Sequence, residues 1–232
     1  MILLRRADER GHANHGWLDS HHTFSFADFH DLRWMGFGPL RVINEDRVAA
    51  GGGFPPHRHA NMEIISYVIE GALQHRDSIG NGSAIVPGDV QCMSAGSGIE
   101  HSEFNASKDQ PVHFLQVWIQ PNRINAAPGY AQQHYPVASR RGVLRLVVSP
   151  DGEDGSLAIR QDARVFASVL APGEEVAHAL GAGRRAWVQV VRGALSIDDC
   201  LLAAGDGVGI SDETGLVLQA SADCELLLFD LP

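Results

Sequence analysis

The chain has 232 residues, 44% of them hydrophobic and 20% charged, and a formal net charge of −10 at pH 7. That balance supports one large or two modest folded domains and excludes disordered and fibrous classes. Its basic residues come no denser than the pairs Arg5-Arg6, Arg140-Arg141 and Arg184-Arg185, so the chain repels phosphate and direct nucleic-acid binding is not expected.

The opening MILLRRADER has too short an apolar run for a signal peptide, and no stretch reaches the roughly 18 apolar residues of a membrane helix. A soluble, cytoplasmic protein without membrane contact is predicted. Residues 14–29, NHGWLDSHHTFSFADF, are crowded with rings. Phe24, Phe26 and Phe29 are expected to pack a barrel rather than to wall a pocket, and His21 and His22 to be structural. Strand-like runs follow at 40–44, 62–71, 83–93, 112–120, 143–149, 163–171, 185–193 and 226–231, punctuated by Gly, Pro, Asn and Asp, with no sustained helical period. A mostly-β protein is predicted. The polar, proline-bearing segment 120–142 reads as a linker or a few short helical turns.

Two pairs of metal-capable side chains stand out, His57-x-His59 and His101-x-Glu103. Residues i and i+2 of a strand project to one face, so each pair offers two donors to one point, and two such strands make a four-ligand pocket. Each pair follows a turn signal, GGGFPP at 51–56 and SAGSG at 94–98. Three imidazoles and a carboxylate suit a borderline divalent ion: Fe(II), Ni, Mn, Cu, Co or Zn. An ion that prefers six ligands keeps open positions, which suggests chemistry rather than scaffolding. Glu100 should face away from such a metal by strand parity, His75 and His113 are candidates for orienting the ligand rings, and Ile64, Met93 and Phe104 could supply apolar lining. Cys92, Cys200 and Cys224 are too few and too widely spaced for a disulfide framework. Cys92 is expected to be an inert core residue.

The chain repeats itself. YVIEGAL (67–73) and QVVRGAL (189–195) match, and each precedes a Gly-Asp turn, at Gly88-Asp89 and Gly205-Asp206. Aligning the copies puts Ala179, Gly181, Leu218 and Ala220 where His57, His59, His101 and Glu103 stand, so only the first copy can hold a metal. His178 is left as an isolated, structural histidine. The expected division is a metal-binding domain at 1–135 and a degenerate one at 136–232.

Gly51, His57, His59, Glu63 and Gly71 resemble the first cupin motif, and Gly88, Gly96, His101 and Asn105 the second. Two departures matter. Glu63 lies one residue off the glycine register, which gives the ligand-facing position to Ile64, and Glu103 joins His101 as H-x-E. This pattern, with segments 14–29, 36–48, 57–73 and 93–105, resembles the pirin branch of cupins, and in particular bacterial pirins described as quercetin 2,3-dioxygenases. The resemblance implies an all-β bicupin and a single metal, often iron, on residues matching His57, His59, His101 and Glu103. It also implies a flavonol-type substrate and O2, cleaved to a depside and carbon monoxide, with Glu103 as the base. The rival implication is a redox-responsive regulatory protein that binds a transcription factor or metabolic enzyme. An internally duplicated bicupin is expected to be a monomer.

Overall fold

The computed structural model describes residues 1–232. Its strands in the first half are β1 (Ile2–Arg5), β2 (Gly11–Asn14), β3 (Leu18–His22), β4 (Leu40–Val48), β5 (Gly53–His59), β6 (Glu63–Glu70), β7 (Leu73–Asp77), β8 (Gly82–Ile85), β9 (Asp89–Ser94), β10 (Ile99–Asn105) and β11 (Val112–Ile119). Then come β12 (Gly129–His134), the one-turn helix α1 (Val137–Arg140), β13 (Arg145–Ser149), β14 (Leu157–Ala158), β15 (Arg164–Leu170) and β16 (Glu175–Ala179). The last are β17 (Arg185–Arg192), β18 (Ala194–Ile197), β19 (Cys200–Ala203), β20 (Gly207–Ser211), β21 (Gly215–Ala220) and β22 (Cys224–Leu231). No helix is long and apolar enough to cross a membrane.

The residues fall into two compact units, Gly11–His134 with Leu157–Gln161, and Met1–Arg10 with Tyr135–Ser156 and Asp162–Pro232. A single cut after residue 135 therefore misses two exchanged segments. β1 pairs with β20, Ile2 opposite Ile210 through Arg5 opposite Gly207. Residues 157–161 are held in the first unit by backbone and side-chain bonds, among them Asn122 N–H to the Arg160 carbonyl at 2.8 Å and Gln161 Nε2 to the Gln120 carbonyl at 2.6 Å. Neither exchange leaves a mark in local composition, because the pairing is decided by distant strands.

Each unit is a pair of antiparallel sheets, the all-β double-cupin arrangement expected. In the first, β12-β9-β6-β11-β4-β3-β2 lies with β5-β10-β7-β8. In the second, one sheet runs from β1 through β20, β17, β22 and β15 to β13, and the other is β16-β21-β18-β19. The repeat has a steric cause. Gly71 and Gly193 turn the chain out of β6 and β17 with φ of +77° and +76°, and an added Cβ would lie 2.7 Å from the Pro111 carbonyl oxygen and 1.7 Å from that of Asp223. Only glycine serves there. In the second unit Leu218 and Ala220 join Val188, Val190, Leu195, Leu226 and Leu228 in a fully apolar core, where each large side chain contributes about 1.5–3 kcal/mol of burial. His178 is satisfied by Asp230, at 2.8 Å.

Segment 120–142 contains a strand that the sequence reading missed. β12 pairs with β9 from Gly129 opposite Ser94 to His134 opposite Asp89. GYAQQH has no apolar alternation to announce it, and it is held instead by the ladder and by Gln132 Nε2 and His134 Nδ1, which donate to Asp89 at 2.9 and 2.7 Å.

Candidate metal centre

β5 and β10 are neighbours, and His57 lies directly opposite His101. Between there and the next partners, Phe54 opposite Glu103, the register shifts, so β5 accommodates Pro55 and Pro56 as a bulge beside the ligand pair. The bulge fixes the tautomer of His57, a candidate ligand: its Nδ1–H donates to the Pro55 carbonyl at 2.8 Å, leaving the Nε2 lone pair free. The potential ligand atoms of His57, His59 and His101 lie within 4.8 Å of one another, and ring centroids are 4.4 to 5.0 Å apart. Glu103 belongs to an overlapping cluster with His101 and His75, also within 4.8 Å. His101 is common to both.

Glu103 is buried and braced from the facing sheet. A row of directly opposed residues crosses that sheet: Gln132, Gln91, Ser66, Gln116, Asn44 and His22. Opposed residues share a face, so this is a polar belt inside the unit. From it Ser66 Oγ donates to Glu103 Oε1 at 3.3 Å and Gln116 Nε2 to Glu103 Oε2 at 2.7 Å. Trp118 Nε1–H donates to Gln116 Oε1 at 3.1 Å, which orients the amide with its NH2 toward the carboxyl. The sequence reading missed Ser66, Gln116 and Trp118. The available signal was Gln116 between the apolar stretches FL and VWI of the run VHFLQVWIQ.

The electrostatics suit ligation. Burial, reinforced by neighbouring histidines, lowers His59 to about 4 and His101 to about 3, so both are neutral with a lone pair to offer. Both ring nitrogens of His101 are buried without a hydrogen-bond partner, and a metal ion would satisfy one of them. Burial raises Glu103 to about 7 against the hydrogen bonds from Gln116 and Ser66, and a cation would restore its charge. The donor set therefore fits a divalent transition ion.

Residues 4–119 match the Pirin family model and residues 146–231 that of the quercetinase C-terminal cupin domain. A protein of Escherichia coli strain K12 named quercetin 2,3-dioxygenase is 47% identical over 232 residues, covering 100% of this chain and 99% of its own. The chain belongs to the pirin family. The pirin-like protein of Caulobacter vibrioides is 42% identical over 99% of both chains. Among solved structures, the bacterial pirin YhhW of Escherichia coli in complex with nickel(II) superimposes with a TM-score of 0.96 at 47% identity, covering 100% of this chain and 99% of that one.

Other expected residues of this pirin-family chain fall as follows. Ile64 takes the inward position beside Met93 and Trp118, and Glu63 turns to Ser94, whose hydroxyl donates to it at 2.5 Å. Ile64 and Met93 are core residues packed with Ala95 and Ile99, and Phe104 is exposed, so none of the three lines an opening. Glu100 is exposed and pairs with Arg58 at 3.2 Å. His75 stacks on Tyr130, lies 5.4 Å from the His101 ring and is anchored by Asp77 at 3.1 Å, whereas His113 pairs with Glu45 away from the cluster. Cys92 is buried and its thiol is pushed up by burial. The aromatic wall comes from elsewhere: Trp118 lies 5.0 Å from the His59 ring, Phe26 5.5 Å from Trp118, and Phe54 6.5 Å from His57. Of the three early phenylalanines only Phe24 is fully buried as expected; Phe26 and Phe29 line a cavity instead. They are hydrogen-bonded to each other across a tight turn with Ala27 at φ +50°, and pattern alone does not reveal such a turn.

Proposed function

We propose that the chain is a metal-dependent dioxygenase of flavonol-type substrates, with His57, His59, His101 and Glu103 holding one divalent ion, Fe(II) first among candidates. The observation that carries this reading is the opposition of His57 to His101 across two adjacent strands, which brings three imidazoles together beside an aromatic wall. It is supported by the relatives, one named quercetin 2,3-dioxygenase and one crystallised with nickel(II). When bound, the ion supplies Lewis acidity toward a substrate oxygen and redox exchange with O2. The chain's own residues orient and move the proton. Glu103 Oε1, held at 3.3 Å by Ser66 while Oε2 is held at 2.7 Å by Gln116, is the freer oxygen and accepts the proton of the substrate 3-hydroxyl. Trp118 and Phe54 flank the histidines and keep water from the reacting face.

The test is elemental analysis of the purified protein coupled to oxygen uptake and loss of flavonol absorbance under air. Glu103→Asp keeps a carboxylate with shorter reach, so metal persists in part while the rate falls by ~10²–10⁴-fold. Equal rates in a fully metallated Glu103→Asp would remove the base role. Absence of oxygen uptake with every flavonol in metal-loaded wild type would sink the enzyme reading in favour of a metal-dependent binding protein.

A further inference from the structure

A cavity of about 320 Å³ lies within the first unit, on the inner face of β3, β4 and β11. This exceeds the ~150 Å³ that accommodates benzene and sits at the small end of ligand sites, which run about 300–1,000 Å³. Two of its lining residues also touch the candidate metal centre: Gln116, which donates to Glu103, and Phe54, whose ring neighbours His57. The cavity therefore abuts the reacting position.

Its walls differ in chemistry. Phe26, Phe29 and Phe54 supply flat apolar faces. Space for Phe29 comes from Gly11, where an added Cβ would lie 2.3 to 2.8 Å from the ring carbons. The polar wall belongs to the inner faces of β3 and β4. Ser20 Oγ donates to Asp46 Oδ1 at 2.5 Å and lies 2.9 Å from His22 Nε2. Beside them Asn44 Oδ1 is buried with no hydrogen-bond partner. An unbonded buried acceptor is costly, and one lining a cavity is offset when an occupant brings a donor.

We propose that this chamber is the subsite for a hydroxylated aromatic ring, whose phenolic O–H groups donate to Asn44 Oδ1 and to the Asp46 carboxyl while the ring lies against Phe26, Phe29 and Phe54. Under the flavonol reading, on which this rests, Asn44 and Asp46 select substrates bearing phenols on an outer ring over those bearing only the metal-facing 3-hydroxyl.

The test compares equilibrium binding of quercetin and 3-hydroxyflavone to metal-loaded protein under argon, with metal content measured for each variant. The two flavonols share the metal-facing oxygens and differ in outer-ring phenols. Wild type is expected to prefer quercetin by about tenfold, the worth of one well-made hydrogen bond. Asn44→Leu, which keeps volume and removes the acceptor, should abolish most of that preference, and Asp46→Asn should reduce it. A wild type without preference, or an Asn44→Leu protein that keeps it, overturns the subsite, while binding and turnover of 3-hydroxyflavone still uphold the flavonol reading. If neither flavonol binds, that reading fails and resorcinol, a diphenol that does not chelate, decides for the chamber. Resorcinol binding lost in Asn44→Leu supports the subsite, and no binding to wild type overturns it.

Discussion

Gln116→Leu isolates the bracing of Glu103. The substitution keeps the side chain's bulk and removes two bonds, the 2.7 Å donation to Glu103 Oε2 and the 3.1 Å acceptance from Trp118 Nε1. A hydrogen bond to a charged group contributes about 1.5–3 kcal/mol, which at 1.4 kcal/mol per decade is about 10–150-fold in an equilibrium constant. Loss of partners that orient metal ligands costs a similar 10–100-fold in metal affinity. Gln116→Leu should therefore weaken binding of the ion by one to two decades, read by competition with a chromophoric chelator at fixed pH. Trp118→Phe keeps an aromatic ring beside His59 and the donation to Glu103 while losing the bond that orients the amide, so its effect should stay below about tenfold, the size of a neutral hydrogen bond. If Gln116→Leu folds with an unchanged melting temperature and binds the ion as tightly as wild type, the facing sheet does not position Glu103.

One ion per chain is expected by elemental analysis, lost in His57→Ala or His101→Ala and retained in His178→Ala; a stoichiometry near two would refute the empty second unit. Glu63→Gln should leave metal content near wild type, since Glu63 faces Ser94, whereas Glu103→Ala should lower it, and the reverse order would overturn the register argument. Asp230 gives a pH signature. Burial raises its pKa, but hydrogen bonds from His178 and Arg184 outweigh that and hold it below the ordinary carboxylate value. Its stabilisation is present above the unfolded value near ~3.9 and is lost as pH falls through the lower folded value. Arg184→Met should cost about 3 kcal/mol at neutral pH, the low end for a broken buried pair because His178 remains. The gap from wild type, read by denaturant melts, should narrow below about pH 4 to what the bonds from Arg184 to the Asp162 and Asp230 carbonyls contribute; a gap that is constant to pH 2 would dissociate the effect from Asp230.

The clustering of His57, His59 and His101 was legible because a strand's period of two puts i and i+2 together whatever the rest of the chain does. The displacement of Glu63 was legible for the same reason, since one residue of slip reverses the face. Ser66 and Gln116 were not. Their position against Glu103 depends on the register of β6 with β11 and on how that sheet faces β10, which are set by packing across the unit and leave no local pattern. β12 escaped because its residues alternate nothing, and the chamber escaped because Phe26 and Phe29 look like any core aromatics until the turn at Ala27 folds them side by side.

The pairing of β1 with β20 has a consequence for synthesis. β1 is made long before its partner, and it must wait until residues 207–210 have been made before its hydrogen bonds can form. Throughout translation of the first unit, Ile2, Leu3 and Leu4 travel as an unmated edge, the kind of segment that recruits a neighbouring nascent chain. Arg5 and Arg6 follow directly after it. Charge beside an open edge opposes such pairing, and in the folded protein the same side chains serve again, Arg5 buried and Arg6 paired with Asp206 at 2.8 Å.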